Sequence, residues 1–124
     1  MIKKKILLIE DDDWMAQLQG EILAEAGFSV RVARHAHEAI ALIDAKMPDI
    51  IIADVLLAGA TIFTLLNELQ SHHDTGEVPV ILCTSIAEQF TPEQLKTYGV
   101  RRVIDKATME SDALTVAVKA VLGG

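Results

Sequence analysis

Three short runs of the sequence are almost wholly apolar: Ile6–Leu7–Leu8–Ile9, Ile50–Ile51–Ile52–Ala53 and Val78–Pro79–Val80–Ile81–Leu82. Each has the length of a strand and none alternates, so neither face of such a strand can be left in water. Strands of this kind belong in a parallel sheet covered on both sides. The stretches between the runs supply the cover. Met15, Leu18, Ile22 and Ala26 recur at helical spacing, as do Ala36, Ala39, Ile40 and Ile43. The same spacing recurs in Ile62, Leu65, Leu66 and Leu69, and in Leu114, Ala117, Val118 and Val121. Weaker strands are expected around Val30 and Val32, after Gly27, and around Val103 and Ile104, after Gly99. The chain therefore reads as five βα units in succession, an α/β fold with a five-stranded parallel sheet and helices on both faces.

The punctuation agrees. Thr91–Pro92–Glu93–Gln94 is a helix start, with Thr91 as cap, Pro92 in the first helical position and Gln94 closing a capping box. Gly27, Gly99 and Gly123 stand where left-handed helix ends are wanted, and Pro48 stops the second helix. Asp13 is expected to cap the first helix, leaving Asp12 as a solvated loop charge.

A chain of 124 residues with 51% hydrophobic content is the size of one domain and needs neither disulfide nor metal to fold. No linker, repeat or low-complexity segment breaks residues 1–124, and the sequence stops as the fifth helix is completed, so no effector domain is expected. Eleven basic against eighteen acidic residues leave a net charge of −7, which disfavours direct nucleic-acid binding. Cys83 is the only cysteine; lying inside an apolar run, it reads as a buried structural thiol. Lys3–Lys4–Lys5 precede only four apolar residues, too few for a signal peptide or membrane span. The expectation is a cytoplasmic protein with no membrane partner.

In open α/β sheets ligands bind beyond the carboxyl ends of the strands. The residues just past the apolar runs are Glu10–Asp11–Asp12–Asp13, Asp54, Thr84–Ser85 and Asp105–Lys106. Carboxylates, a hydroxyl and an amine are thus expected on one edge of the sheet. Two like charges about 4 Å apart cost on the order of 4 kcal/mol at an effective dielectric near 20. Glu10, Asp11 and Asp54 in one crevice therefore call for a cation as well as Lys106. Mg²⁺ suits better than Ca²⁺ or Zn²⁺, because few carboxylates are offered and coordination positions stay open for water and phosphate oxygens.

This set resembles the response-regulator receiver family of two-component signalling, over essentially the whole chain. The resemblance rests on Ile6–Asp12, Pro48–Asp54, Pro79–Ser85 and Asp105–Lys106, in that order and with matching gaps. It implies a flavodoxin-like strand order of 2-1-3-4-5, with Asp54 as phosphoacceptor and Mg²⁺ held by Glu10, Asp11 and Asp54. Asp11 would be the direct ligand, and Glu10 would act mainly through water. Thr84 would hydrogen-bond one phosphoryl oxygen and Lys106 would pair with another. The implied partners are a sensor histidine kinase or phosphotransfer protein and a downstream protein target. The implied reactions are weak self-phosphorylation and slow autodephosphorylation rather than turnover of a substrate. The fourth and fifth helices can pair in this family as a weak homodimer, which nothing in the sequence demands.

The chain also departs from the family pattern. Ala58, Thr61 and Ile62 replace a usual proline and an Asp-Gly pair after Asp54, and Ala107 follows Lys106 where proline is common. Val103 stands where an aromatic switch residue is often found, and its stiff χ1 implies an altered read-out. Leu56 and Ile86 are apolar where water-positioning groups can occur, so slow loss of phosphate is expected. His72–His73–Asp74 reads as a solvated helix end, His35 and His37 as surface residues, Trp14 as packed or partly exposed, and Arg101–Arg102 as a solvated rim.

Other classes fit less well. A dehalogenase-type aspartyl phosphatase needs Asp-x-Asp-x-Thr, which neither Asp54 nor Asp11–Asp13 begins. An EF-hand fails at Met15 and Ala16. An acidic loop after the first strand would repel a flavin phosphate. The alternative that stays open is a receiver-like interaction domain that is not phosphorylated.

Overall fold

Each apolar run becomes a strand whose two faces are buried in different helices. The computed structural model describes residues 3–57, 60–72, 74–86, 89–106 and 112–123. In chain order the elements are β1 (Lys5–Ile9), α1 (Asp13–Glu25), β2 (Ser29–Ala33), α2 (Ala36–Ala45) and β3 (Ile50–Ala53). A ribbon of β4 (Leu56–Leu57) and β5 (Ala60–Thr61) precedes α3 (Phe63–Gln70) and a 3₁₀ turn at Thr75–Glu77. The chain continues with β6 (Val80–Thr84), α4 (Pro92–Lys96), β7 (Val100–Asp105) and α5 (Ala113–Val121).

The main sheet has the order β2-β1-β3-β6-β7, parallel throughout. With the antiparallel β4–β5 ribbon set aside, this is the expected order 2-1-3-4-5. Alternate residues along each strand divide the core between the two faces. Leu7, Ile9, Ile51, Ala53 and Leu82 pack under Ala39 and Ile43 of α2, Leu65, Leu66 and Leu69 of α3, and Leu95 of α4. Ile6, Leu8, Ile50, Ile52, Ile81 and Cys83 pack under Leu23 of α1 and Leu114, Ala117 and Val118 of α5. At about 1.5–3 kcal/mol per buried aliphatic side chain, these two layers are the main force holding the sheet.

The register aligns the strand ends. Ile9 is opposite Ala53, Ala53 opposite Leu82, and Thr84 opposite Asp105. Residues 10, 54, 84 and 106 consequently fall along one edge.

Several local expectations change. The N-cap of α1 is Asp12, whose Oδ1 accepts the Met15 N–H at 2.8 Å; Asp13 is the first helical residue and pairs with Arg34. His35 caps α2, its Nδ1 accepting the Glu38 N–H at 3.1 Å. β6 begins at Val80, because Pro79 has no N–H to give a ladder; its carbonyl accepts Ile51 N–H instead. β7 starts three residues before Val103, with Arg101 and Arg102 exposed on this edge strand. Trp14 is 70% exposed rather than packed. The capping box of Thr91 and Gln94 is present, and Gly27, Gly99 and Gly123 all have positive φ. His72 and Asp74 are exposed. Ala58, Gly59, His73 and Ala107, and the side chains of Leu56 and Thr61, lie outside the described residues.

Candidate functional site

Glu10 ends β1 pointing into the protein rather than out of it. Its backbone N–H donates to Ala33 O at 2.9 Å, extending the β1–β2 ladder by one residue, and the residue is 2% exposed. Such a carboxylate needs a partner. It comes from the far end of the sheet, where Lys106 N–H donates to Thr84 O at 3.0 Å and fixes the turn leaving β7. From that anchor the Lys106 ammonium donates to Glu10 Oε1 at 2.5 Å and to Asp54 Oδ2 at 2.7 Å. Asp54 is held in place by its own N–H, donated to Ile9 O at 3.3 Å. One nitrogen thus joins the ends of β1, β3 and β7.

The charges act on one another. Burial pushes the Glu10 carboxyl above its usual range; its bonds to Lys106 and to the Asp12 N–H pull it down but do not overcome that, and the nearby Asp54 pushes it up again. For Lys106, burial works to lower the pKa, yet the hydrogen bonds to Asp54 and Glu10 win and raise it, so the amine is held as ammonium. Thr84 is 1% exposed, its Oγ1 accepting the Ile86 N–H at 3.3 Å. Asp11 sits on the exposed loop between β1 and α1.

The structure therefore joins Glu10, Asp54 and Lys106 directly, sets Thr84 beside Lys106 through the backbone, and leaves Asp11 at the solvent side. Among the described residues no group of three or more His, Cys, Asp or Glu side chains is arranged to hold a metal ion. Magnesium does not ask for one: it binds through one or two carboxylates and keeps several waters. The carboxylates of Asp11, Asp54 and Glu10 offer only hard oxygens, which would suit that ion better than a nitrogen- or sulfur-seeking one.

A buried polar contact beneath the site was not foreseen from sequence. Gln19 of α1, 1% exposed, approaches Cys83 Sγ with its Nε2 at 3.6 Å. A glutamine among the apolar positions of an amphipathic helix looks like a surface residue until the helix is docked. Burial pushes the Cys83 thiol up to about 11, with smaller influences from Lys106, Asp54 and Glu10.

A family model described as response regulator receiver domain matches residues 6–119. The chain belongs to that family. Among its relatives, the transcriptional regulatory protein CpxR of Klebsiella pneumoniae is 37% identical over 81 residues, 65% of this chain and 33% of that protein. Protein PilH of Pseudomonas aeruginosa is 24% identical over 120 residues, 97% of this chain and 98% of that one. The receiver thus spans a third of CpxR but nearly all of PilH. Its fold matches a putative response regulator from Chloroflexus aurantiacus with a TM-score of 0.84 and 28% identity, covering 99% and 100% of the two chains. It also matches the receiver domain of sensor histidine kinase PA1611 from Pseudomonas aeruginosa, whose structure has a magnesium ion in the active-site cleft. That pair has a TM-score of 0.85 at 20% identity, over 99% and 100% of the chains, and shows a shared fold. No helix among the described residues of the receiver is long and apolar enough to cross a membrane.

Proposed function

We propose that the receiver accepts a phosphoryl group on Asp54 from the phosphohistidine of a sensor kinase or phosphotransfer protein and passes the signal to a downstream protein. The observation that carries this reading is the Lys106 ammonium bound to both Asp54 and Glu10. A lysine bonded to the acceptor carboxylate already stands where the charge of an incoming phosphoryl group will develop.

In the transfer, a carboxylate oxygen of Asp54 forms a bond to phosphorus while the phosphorus–nitrogen bond of the donor breaks. The electron pair and a proton stay with the departing imidazole. Lys106 offsets charge on one phosphoryl oxygen, and the Thr84 hydroxyl donates to another. Glu10, too buried to serve as a nucleophile, holds the ammonium in place. Asp11 and Asp54, with Glu10 through water, would hold Mg²⁺, which when bound neutralises charge on the transferring oxygens. Water attack on the acyl phosphate returns inorganic phosphate and a free Asp54, so the cycle needs no other nucleophile.

The test is the intact mass of the protein after incubation with acetyl phosphate and Mg²⁺. A gain of one phosphoryl group, lost in Asp54→Asn, supports the reading. A mass that never changes favours the alternative of an interaction domain that works unphosphorylated.

A further inference from the structure

Four acids in succession, Glu10–Asp11–Asp12–Asp13, leave β1 and open α1, and the fold gives them different neighbours. Glu10 takes the Lys106 ammonium at 2.5 Å. Asp12 commits its Oδ1 to the Met15 N–H at 2.8 Å. Asp13, in the first turn of α1, forms an ion pair through Oδ1 with Nη1 of Arg34.

Arg34 is a fixed anchor. It follows β2 directly, and its backbone N–H donates to Glu38 Oε1 at 2.6 Å. The carbonyl of the residue before it, Ala33, accepts the Glu10 N–H at 2.9 Å, and the residue after it, His35, caps α2. Ala33 and Arg34 thus hold the two ends of the acidic run, one through the backbone of Glu10 and the other through the side chain of Asp13. The direction of the second pull follows from the strand order β2-β1-β3-β6-β7. Asp54 and Lys106 follow β3 and β7, on one side of β1; Arg34 follows β2, on the other. The ion pair therefore draws the Asp13 carboxylate away from Asp54. With 91% of the Asp13 side chain and 41% of the Arg34 side chain exposed, the pair adds little to stability. Its effect is on where the carboxylate points.

That direction matters because cations differ in what they gather. Ca²⁺ takes about 6–8 oxygens, and its loops supply acids at alternate positions, which is the spacing of Asp11 and Asp13. Mg²⁺ binds through few carboxylates and keeps its waters. We propose that Arg34 sets the metal preference of the receiver, keeping Asp13 out of the ligand set and so favouring Mg²⁺ over Ca²⁺. The inference rests on the reading of Asp11 and Asp54 as metal ligands. Without the guanidinium, the Asp13 carboxylate turns toward Asp11 and offers a second side chain from the same loop. The ion that gathers more oxygens gains from it, and the ion that keeps its waters gains little. A bare loss of one positive charge acts differently, strengthening the binding of both dications alike.

The test titrates ¹⁵N-labelled receiver, without phosphodonor, with MgCl₂ and separately with CaCl₂ at one ionic strength. Amide shifts of residues 10–14 give each dissociation constant. In Arg34→Gln the Ca²⁺ constant should fall at least about fivefold and the Mg²⁺ constant by no more than about twofold. Adding Asp13→Asn to Arg34→Gln should return the ratio of the two constants to that of the parent, and Asp13→Asn alone should leave it unchanged. Arg34→Ala takes the place of Arg34→Gln should that variant not fold. Equal strengthening of both ions, an unchanged ratio, or a Ca²⁺ gain that survives Asp13→Asn overturns the role of Arg34 and leaves the metal site standing. A ratio that shifts in Asp13→Asn alone also overturns it, because Asp13 would then be a ligand already. A parent that binds neither ion, or an Asp11→Ala variant that binds both as well as the parent, overturns the metal-site reading and this inference with it.

Discussion

Lys106 and Glu10, separated by 96 positions in the chain, meet in a bond of 2.5 Å between Nζ and Oε1. Glu10 is 2% exposed, and this bond supplies the positive charge that its carboxylate would otherwise find in water. Removing the cation while leaving the buried anion is the costly way to break such a pair. Lys106→Met should therefore cost about 3 kcal/mol in urea unfolding in the absence of metal. Glu10→Gln should cost less, because burial already disfavours its charge. The double variant should lose at least about 1 kcal/mol less than the sum. Strict additivity would mean that the bond does not couple the ends of β1 and β7.

Asp11 and Asp12 are neighbours with different work to do. Asp12 accepts the Met15 N–H and caps α1, so Asp12→Ala should cost about 1 kcal/mol of stability. Its phosphoryl uptake from a small donor should keep the same Mg²⁺ dependence. Asp11→Ala should do the reverse, with little change in urea midpoint but at least about a tenfold higher Mg²⁺ requirement for half-maximal uptake. Equal effects of the two on Mg²⁺ would remove Asp11 from the proposed ligand set.

How far these residues could be read in advance depends on what determines each one. The strands and the edge bearing residues 10, 54, 84 and 106 follow from apolar run length and parallel topology, and both are written in the sequence. The choice between Asp12 and Asp13 as cap is set by backbone dihedrals at a single residue; two adjacent short acids give no clue. β7 begins at Val100 because it is an edge strand, where Arg101 and Arg102 can face water and so interrupt the apolar pattern. The β4–β5 ribbon has two residues per strand, too few for any period. That Lys106 should reach both carboxylates is a matter of side-chain direction, visible only once the sheet is assembled.

Gly99 and Gly27 both have positive φ, +77° and +102°, but differ in surroundings. A Cβ at Gly99 would lie 2.8 Å from Gln70 Nε2, whereas a Cβ at Gly27 meets nothing within 4 Å. Both alanine variants carry the left-handed backbone penalty, about 1–2 kcal/mol. Gly99→Ala must also displace Gln70, whose Nε2 donates to Gly76 O at 3.2 Å. Thermal unfolding should therefore rank Gly99→Ala as the less stable, and Gly99→Ala with Gln70→Ala should narrow the gap. Equal midpoints for the two single variants would contradict the contact.

Cys83 offers a pH prediction whose sign is fixed by its surroundings. The thiol is 2% exposed and its pKa rises from 9.0 to about 11, chiefly through burial. Between those values the unfolded chain has released the proton and the folded chain still holds it, so stability falls as pH rises. The loss from this group reaches about 1 kcal/mol near pH 10. Urea unfolding at about pH 8 and pH 10 should show a smaller decline in Cys83→Ala by that amount; the loss of the sulfur contact to Gln19 is the same at both pH values and drops out of the comparison. The same burial should make alkylation of the native protein by iodoacetamide slow at pH 8 and fast in urea. A thiol that reacts equally fast in both would mean that β6 opens at its carboxyl end, beside Thr84.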